Sequence, residues 1–235
     1  MARKAGKLRH RWRRYFAALA LIAVLAAAIW YWCTLQHFVP NEGKYPDQGV
    51  AVSQAQGLVG FATVRALGGK FAYLEASRGS GGQDARFARN FDAARREGLM
   101  AGAVHVFDPC EKAGGQSANF VTIVPRDDDL LPPAIALDRT AESCSGQVSD
   151  AAVESELMTF INQVEMHVGK PVILKLFPAF EERYGIAGRI ERDLWLVRDR
   201  FAPRYAGRPW LLWSANSALK SEASDEPVEW VVVQP

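Results

Sequence analysis

The hydrophobic and polar positions of this chain fall into three successive patterns. An uncharged run from Tyr15 to Leu35 comes first, then a polar segment containing Pro and Gly, and then short apolar runs that alternate with amphipathic stretches. The uncharged run has roughly the 20 residues that a helix needs to cross a bilayer core of about 30 Å. We therefore predict a tail at 1–14, a transmembrane segment at 15–35, a linker at 36–48 and a folded domain at 49–235.

Within the folded domain, short apolar runs predict eight strands and amphipathic stretches predict helices between several of them. The clearest helix is Asp150–Val168, with Asp150 at its start and Gly169 at its end. A second helix is predicted over Asp84–Glu97. The predicted strands are Gly49–Ser53, Phe71–Ser77, Ala101–Phe107, Ala134–Asp138, Pro171–Phe177, Leu194–Arg198, Pro209–Ser214 and Val228–Val233. This alternation predicts an α/β fold, an irregular TIM-like (β/α) barrel preceded by one N-terminal transmembrane helix.

Charge is distributed unevenly and sets the expected topology. Seven of the 28 Lys and Arg residues lie within residues 1–14, which leaves 21 cations against 26 anions in the rest of the chain. Cations before an apolar run keep the N-terminus in the cytoplasm and export the residues after the run, and Trp30–Trp32 fits the far membrane interface. A mildly acidic domain argues against nucleic acid as its partner.

A cleaved signal peptide is the alternative to an anchor, because Ala26–Ala28 offers the small residues of a cleavage site. We favour the uncleaved anchor, since the apolar run is long and continues through the aromatic residues.

Two cysteines, Cys110 and Cys144, lie beyond the apolar run. Two thiols in an oxidising compartment more often pair than stay free, so we predict a disulfide between them. Neither has a His or Cys neighbour at ligand spacing, and we expect no metal and no cofactor.

Several segments resemble, in order, the strand motifs of glycoside hydrolase family 25, the lysozymes (N-acetylmuramidases) that cut peptidoglycan. They are Gly49–Gly57 (GVAVSQAQG), Phe71–Gly79 (FAYLEASRG), Gly102–Phe107 (GAVHVF), Leu131–Asp138 (LPPAIALD), Leu194–Leu196 (LWL) and Val228–Trp230 (VEW). The resemblance implies the family's barrel, peptidoglycan glycan strands as partner, and residence at the bacterial cytoplasmic membrane with the domain facing the periplasm or cell exterior.

The same resemblance indicates a reduced set of acidic residues. Ala51, Arg78 and Ala136 stand where the family has carboxylates, Asp138 stands for a Glu and Glu229 for an Asp. Glycoside hydrolysis requires one carboxylic acid and a second carboxylate. The resemblance therefore implies a pseudoenzyme, or a very weak hydrolase, that still engages peptidoglycan.

Two alternatives stay open at this point. One is an active muramidase with Asp138 as the acid and Glu229 or Glu75 as the second carboxylate. The other is a scaffold that binds a protein. Glu75 and Arg78 reverse the signs of the family's Lys and Glu, which fits a rim ion pair better than a relocated catalytic carboxylate.

Four residues are expected at the substrate: Tyr73, Glu75, His105 and Trp213. Aromatic rings such as Tyr73 and Trp213 offer stacking surfaces for sugars. The family also has a His at the position of His105, but that residue lies mid-strand in an apolar run, where a hydrogen-bonded core histidine is the better interpretation.

Overall fold

A computed structural model describes residues 3–235, with side chains described at Trp12 and from Tyr15 onward. The chain divides into two compact units, Met1–Phe38 and Val39–Pro235. In the first unit, helix α1 spans Arg3–Gln36. Its stretch Tyr15–Gln36 is 22 residues long, has a mean hydropathy of 2.2 and buries none of its side chains in the protein. This length and composition suit a membrane anchor and a signal sequence alike.

The second unit contains nine strands and five α-helices. The strands are β1 (Gln48–Val52), β2 (Gly69–Arg78), β3 (Gly82–Gln83), β4 (Met100–Val106), β5 (Ala134–Leu137), β6 (Ile173–Leu176), β7 (Asp193–Val197), β8 (Leu212–Leu219) and β9 (Val228–Val233). The helices are α2 (Phe61–Ala66), α3 (Phe87–Arg96), α4 (Ala113–Ile123), α5 (Asp150–Val168) and α6 (Pro178–Tyr184).

Eight of these strands close into a barrel in the order β1-β9-β8-β7-β6-β5-β4-β2, and β1 pairs with β2 to complete the ring. β3 forms a short hairpin with β2. Neighbouring strands are parallel except at β9, which runs antiparallel to both β8 and β1. In the described chain the β7–β8 and β8–β9 connections contain no α-helix. The mixed α/β barrel expected from the sequence is therefore present, with one reversed strand.

All eight predicted strands are found, and the differences from prediction have local causes. β8 extends to Leu219, beyond the predicted Ser214, because its polar residues continue the pairing with β9. α3 begins at Phe87 because the Asp84 carboxylate accepts the backbone N–H of Arg86 in a preceding turn. α5 has the predicted bounds, but its N-cap is Ser149, whose hydroxyl accepts from the Ala152 backbone N–H.

Large rings fill the barrel interior and form a floor beneath its C-terminal mouth. Phe71, Tyr73 and Trp195 are almost fully buried there, and burying one such side chain contributes about 1.5–3 kcal/mol. Two glycines make room for them. A Cβ at Gly49 would lie 2.2 Å from the Phe71 carbonyl oxygen, and one at Gly102 would lie 2.4 Å from the Tyr73 ring.

The predicted disulfide between Cys110 and Cys144 is confirmed, with Cα atoms 5.3 Å apart. It joins the loop after β4 to the loop after β5. Both loops leave the C-terminal ends of adjacent parallel strands, so the bridge lies on the face of the barrel where such folds carry their sites.

Candidate functional site

A cleft opens at the C-terminal mouth of the barrel. Its lining comes mainly from the C-terminal halves of β1, β2, β4, β5 and β6 and from the start of the reversed strand β9. The lining residues are Ala51, Val52, Ser53, Gln56, Glu75, Arg78, Val104, Val106, Ala136, Asp138, Lys175, Phe177, Ser217 and Glu229. The structure thus brings together both acidic residues predicted to be catalytic, the three positions predicted to have lost an acid, and Glu75.

Arg78 bridges two carboxylates on one side of the cleft. Its guanidinium lies 3.3 Å from Glu75 Oε2 and 3.3 Å from Asp138 Oδ2. Burial raises the pKa of Glu75, and the charges of Asp84 and Asp138 add to the rise, while Arg78 opposes it. Asp138 Oδ1 is buried without a hydrogen bond, and Arg139 Nε lies 3.8 Å from it. This side of the cleft is a compact cluster of alternating charges.

The opposite side holds a second ion pair that is more deeply buried. Lys175 Nζ lies 2.7 Å from Glu229 Oε2 and 4.3 Å from the centre of the Trp195 ring. Glu229 Oε1 accepts from the Ser214 hydroxyl, and that hydroxyl accepts the Trp195 indole N–H at 2.7 Å. Both oxygens of the Glu229 carboxylate are therefore held in place.

Lys175 and Phe177 belong to the cleft lining, and sequence reasoning missed both. A signal was present, because Lys175 is the one charged residue in the apolar run 172–177 of a predicted strand. A charge at an inward position of a barrel strand requires a partner, and such positions often belong to a site.

Two aromatic residues expected at the substrate lie elsewhere. Tyr73 is buried in the barrel interior, where its hydroxyl donates to the Pro132 carbonyl. Trp213 is buried with its indole N–H donating to the Arg198 carbonyl. The expectation that these rings line the cleft is wrong, because both rings are buried in the packing of the barrel.

His105 is also buried away from the cleft. Its Nδ1 lies 2.8 Å from Ser77 Oγ and its Nε2 lies 3.2 Å from Gln116 Oε1. Burial lowers the pKa of His105 to about 4, and the charge of Arg78 adds to the shift. The interpretation as a hydrogen-bonded core histidine agrees with this environment, and the expected place at the substrate does not.

Metal ligands do not cluster in the part of the chain that the structure describes. No group of three or more His, Cys, Asp or Glu side chains there is arranged to hold a metal ion.

Comparison with known proteins identifies the family. The sequence profile described as "Glycosyl hydrolases family 25" matches residues 50–217. The chain belongs to glycosyl hydrolase family 25.

Solved family 25 structures have the same fold. The family 25 glycosyl hydrolase from Bacillus anthracis superposes with a TM-score of 0.76 at 25% identity, covering 85% of this chain and 93% of that one. A bacterial lysozyme from Streptomyces coelicolor gives a TM-score of 0.70 at 20% identity, covering 80% of this chain and 92% of that one.

Curated relatives are longer than the segment they share with this family 25 chain. The uncharacterized protein YegX of Escherichia coli K12 is 24% identical over 165 residues, which are 69% of this chain and 58% of YegX. Lysozyme M1 of Streptomyces globisporus is 29% identical over 119 residues, which are 49% of this chain and 40% of that protein. The chain thus spans less than two thirds of either relative.

The five positions that the sequence resemblance leads us to expect at the family's acids all lie in the lining of this one cleft. Here they are occupied by Ala51, Arg78, Ala136, Asp138 and Glu229. The cleft is therefore the candidate site, with two carboxylates at those positions and a third supplied by Glu75.

Proposed function

We propose that this chain is a membrane-anchored family 25 protein whose cleft engages peptidoglycan glycan and hydrolyses it very weakly or not at all. One observation carries the proposal: each carboxylate in the cleft lining faces a cation. Glu75 and Asp138 share Arg78, and Glu229 pairs with Lys175.

The physical argument concerns the charge that develops during hydrolysis. Cleavage of a glycosidic bond passes through an oxocarbenium-like transition state, which a free carboxylate stabilises or attacks. A carboxylate already paired with an ammonium or a guanidinium provides less stabilisation for a second cation. The methyl groups of Ala51 and Ala136 at the same mouth provide none. The cleft is thus better suited to hold a glycan than to cut it.

Family membership supports peptidoglycan as the partner, and helix α1 supports the anchor. We propose the division expected from the sequence: a cytoplasmic tail at 1–14, a membrane span at 15–35, a linker at 36–48 and an exported barrel at 49–235. The barrel unit has its own core and its own disulfide, which fits a domain that works outside the cytoplasm.

Two assays on purified residues 39–235 test the glycan proposal. We expect the protein to co-sediment with purified peptidoglycan and to release labelled glycan at a rate close to the blank. Any residual release should disappear in Asp138→Asn. Release at the rate of an active muramidase contradicts the non-catalytic interpretation. Absence of both binding and release contradicts the glycan interpretation and favours a protein-binding scaffold.

A slow muramidase is the second candidate, and the raised pKa of Glu75 favours it. A raised pKa extends the pH range over which a carboxyl group holds a proton, which suits a general acid. In this mechanism Glu75 is the acid and Asp138 or Glu229 the second carboxylate, so the roles of Glu75 and Asp138 differ from those expected from the sequence. Measurable release that falls on the basic side of its pH profile in the unchanged protein, and that is lost in Glu75→Gln, supports this candidate.

The anchor is tested on the full chain. We expect it to remain in the membrane fraction at its unprocessed mass after alkaline carbonate washing, and a reporter fused after Pro235 to be active outside the cytoplasm. A soluble, shortened product indicates signal-peptide cleavage. A reporter that is active only in the cytoplasm contradicts the topology.

A further inference from the structure

A short loop rich in arginine follows strand β7, and we call residues 198–204 the arginine loop. It carries three cations, Arg198, Arg200 and Arg204, against one anion, Asp199. The chain after residue 14 has the opposite balance, with 21 cations against 26 anions. The arginine loop is therefore a positive region on an acidic domain.

Contacts with strand ends hold the arginine loop at the mouth of the barrel. The hydroxyl of Tyr205, just after the loop, accepts the N–H of Val197 and donates to the carbonyl of Leu176. These two residues are the last of β7 and of β6. The Asp199 carboxylate accepts the backbone N–H and the hydroxyl of Ser217, which lines the cleft. The arginine loop therefore lies on the rim of the cleft, outside its lining.

The charges of the three arginines are not neutralised within residues 15–235. The one acid of the loop, Asp199, is engaged by Ser217, and none of the three guanidinium groups forms an ion pair there. Arg198 and Arg204 are exposed, and Arg200 is partly exposed with its Nε buried and without a hydrogen-bond partner. Like charges on one short loop repel one another, and an anionic ligand relieves that repulsion.

The backbone of the arginine loop is held in an unfavourable conformation. Arg200 has a φ of 67°, in the left-handed region that residues with a side chain rarely adopt. Its N–H donates to the Ala215 carbonyl on β8 at 2.7 Å, which fixes the turn. The next residue, Phe201, is 67% exposed, and the Arg198 guanidinium lies 5.8 Å from its ring centre. Backbone strain is concentrated at ligand sites, and arginine with exposed aromatic rings is typical of binding surfaces.

Resting on the proposed function, we infer that the arginine loop binds the acidic peptide stems of peptidoglycan. Peptidoglycan carries short peptides with free carboxylates on alternate sugars, so a glycan strand in the cleft brings a stem to its rim. The guanidinium groups pair with the stem carboxylates, and Phe201 packs on the methyl groups of the stem. The contact is separate from any glycan contact inside the cleft, and it selects for the peptide part of the polymer.

The inference is tested with three ligands of equal glycan length. One has no peptides, one has stems with free carboxylates, and one has the same stems with amidated carboxylates. Residues 39–235 are used because they form a compact unit and lack the seven cations of the tail. We expect the free-carboxylate form to bind about tenfold more tightly than the amidated form at low salt, as a few exposed ion pairs imply. Added salt should reduce this preference.

Variants of the arginine loop assign the preference to its residues. Arg198→Gln/Arg200→Gln/Arg204→Gln should reduce the preference to about twofold or less and leave the affinity for the peptide-free glycan unchanged. The double variant Arg198→Gln/Arg204→Gln, which keeps the strained position intact, should lower the preference by a smaller factor. Phe201→Ala should weaken both stem-bearing ligands several-fold and leave their ratio unchanged.

A matched control removes three cations elsewhere. Arg86, Arg89 and Arg96 are exposed and lie at the start of helix α3 or on it, and their replacement by Gln changes the net charge by the same amount. This variant should bind all three ligands like the unchanged protein. Circular dichroism melting checks that each variant folds.

The outcomes for this inference and for the proposed function are distinct. If the unchanged protein binds glycan without distinguishing free from amidated stems, or if the folded triple variant keeps the preference, the stem site is wrong while the glycan proposal stands. An equal loss in the α3 control shows an effect of net charge and also overturns the stem site. Binding to phosphatidylglycerol vesicles that requires the three arginines, with no preference among the stems, identifies a lipid surface instead. If the unchanged protein binds neither these ligands nor peptidoglycan, the proposed function falls and the stem site with it.

Discussion

Ala136 on β5 is the register partner of Lys175 on β6, and both side chains line the mouth of the barrel. On the other side of the mouth, Ala51 on β1 is the register partner of Glu229 on β9. Each of the two alanines therefore neighbours one end of the Lys175–Glu229 ion pair. The two small residues and the ion pair form a single arrangement, in which the pair joins β6 to β9 and has an alanine in register with each of its members.

This arrangement predicts that restoring the acids alone is insufficient for catalysis. The triple variant Ala51→Asp, Ala136→Asp, Asp138→Glu should release labelled glycan at least tenfold more slowly than the same variant carrying Lys175→Met. An ammonium about 5 Å from a developing positive charge costs about 3 kcal/mol at an effective dielectric constant of about 20, and Glu229 offsets part of this. Equal release rates from the two folded variants contradict the role given to Lys175.

The disulfide should be a large contributor to stability. Cys110→Ser/Cys144→Ser is expected to lower the free energy of unfolding by about 3–4 kcal/mol in the chain-entropy treatment, since the bridge closes a loop with a sequence separation of 34. Urea unfolding of residues 39–235 with and without a reducing agent measures this. The double variant serves as its own control, because a reductant should not change its midpoint. An unchanged midpoint in the reduced unsubstituted domain contradicts the prediction.

His105 should make the domain less stable in acid. Its pKa is about 4 in the folded protein and about 6.5 in the unfolded chain. The unfolded chain therefore binds the proton first, so the contribution is complete above about pH 6.5 and is lost as the pH falls towards 4. The loss amounts to about 3 kcal/mol by pH 4.

The measurement is urea unfolding at pH 7.5 and pH 4 for the unchanged domain and His105→Gln. Between pH 7.5 and pH 4, the free energy of unfolding of the unchanged domain should fall by about 3 kcal/mol relative to that of His105→Gln. Because every other titrating group is common to both proteins, a difference that stays constant with pH contradicts the buried neutral histidine.

Gly49 should tolerate no side chain. Gly49→Ala places a Cβ 2.2 Å from the Phe71 carbonyl oxygen and 2.6 Å from its ring, and backbone in the adjacent strand cannot move away cheaply. We expect a loss of about 3 kcal/mol or more in the free energy of unfolding. Gly146→Ala is the matched control, because a Cβ there meets no atom within 4 Å, and it should be close to neutral. Similar stabilities for the two variants contradict the packing argument.

The positions of the barrel strands could be predicted from the sequence because burial imposes a local pattern on each of them. Runs such as Ala134–Leu137 and Ile173–Leu176 are apolar over all or most of their length, as strands of a covered sheet are. The direction of β9 could not be predicted in this way. Its apolar pattern is the same in either direction, and only its pairing with β1 and β8 fixes it.

The site was predictable where it depends on strand ends and not where it depends on packing. Asp138 and Glu229 meet at the mouth because they lie at the strand ends that form it. Tyr73 and Trp213 could not be placed from the sequence, because aromatic rings suit both sugars and cores and the sequence carries no signal that separates the two. The apolar residues around Lys175 identify its strand, but they do not show that its side chain points into the barrel.

The reversed strand β9 has a consequence for how the domain acquires its shape. β9 lies between β1 and β8 in the ring. Its two partners are therefore the first barrel strand of the chain and the strand that immediately precedes β9. Until residues 228–233 are in place, β1 and β8 both present a row of unpaired backbone groups, which invite pairing with other chains. Closure also brings together segments almost a whole domain apart in sequence, a slow kind of contact to form. Glu229 lies on β9, so the same strand that completes the ring also supplies the partner of Lys175, and an intact ion pair in the cleft requires a closed barrel.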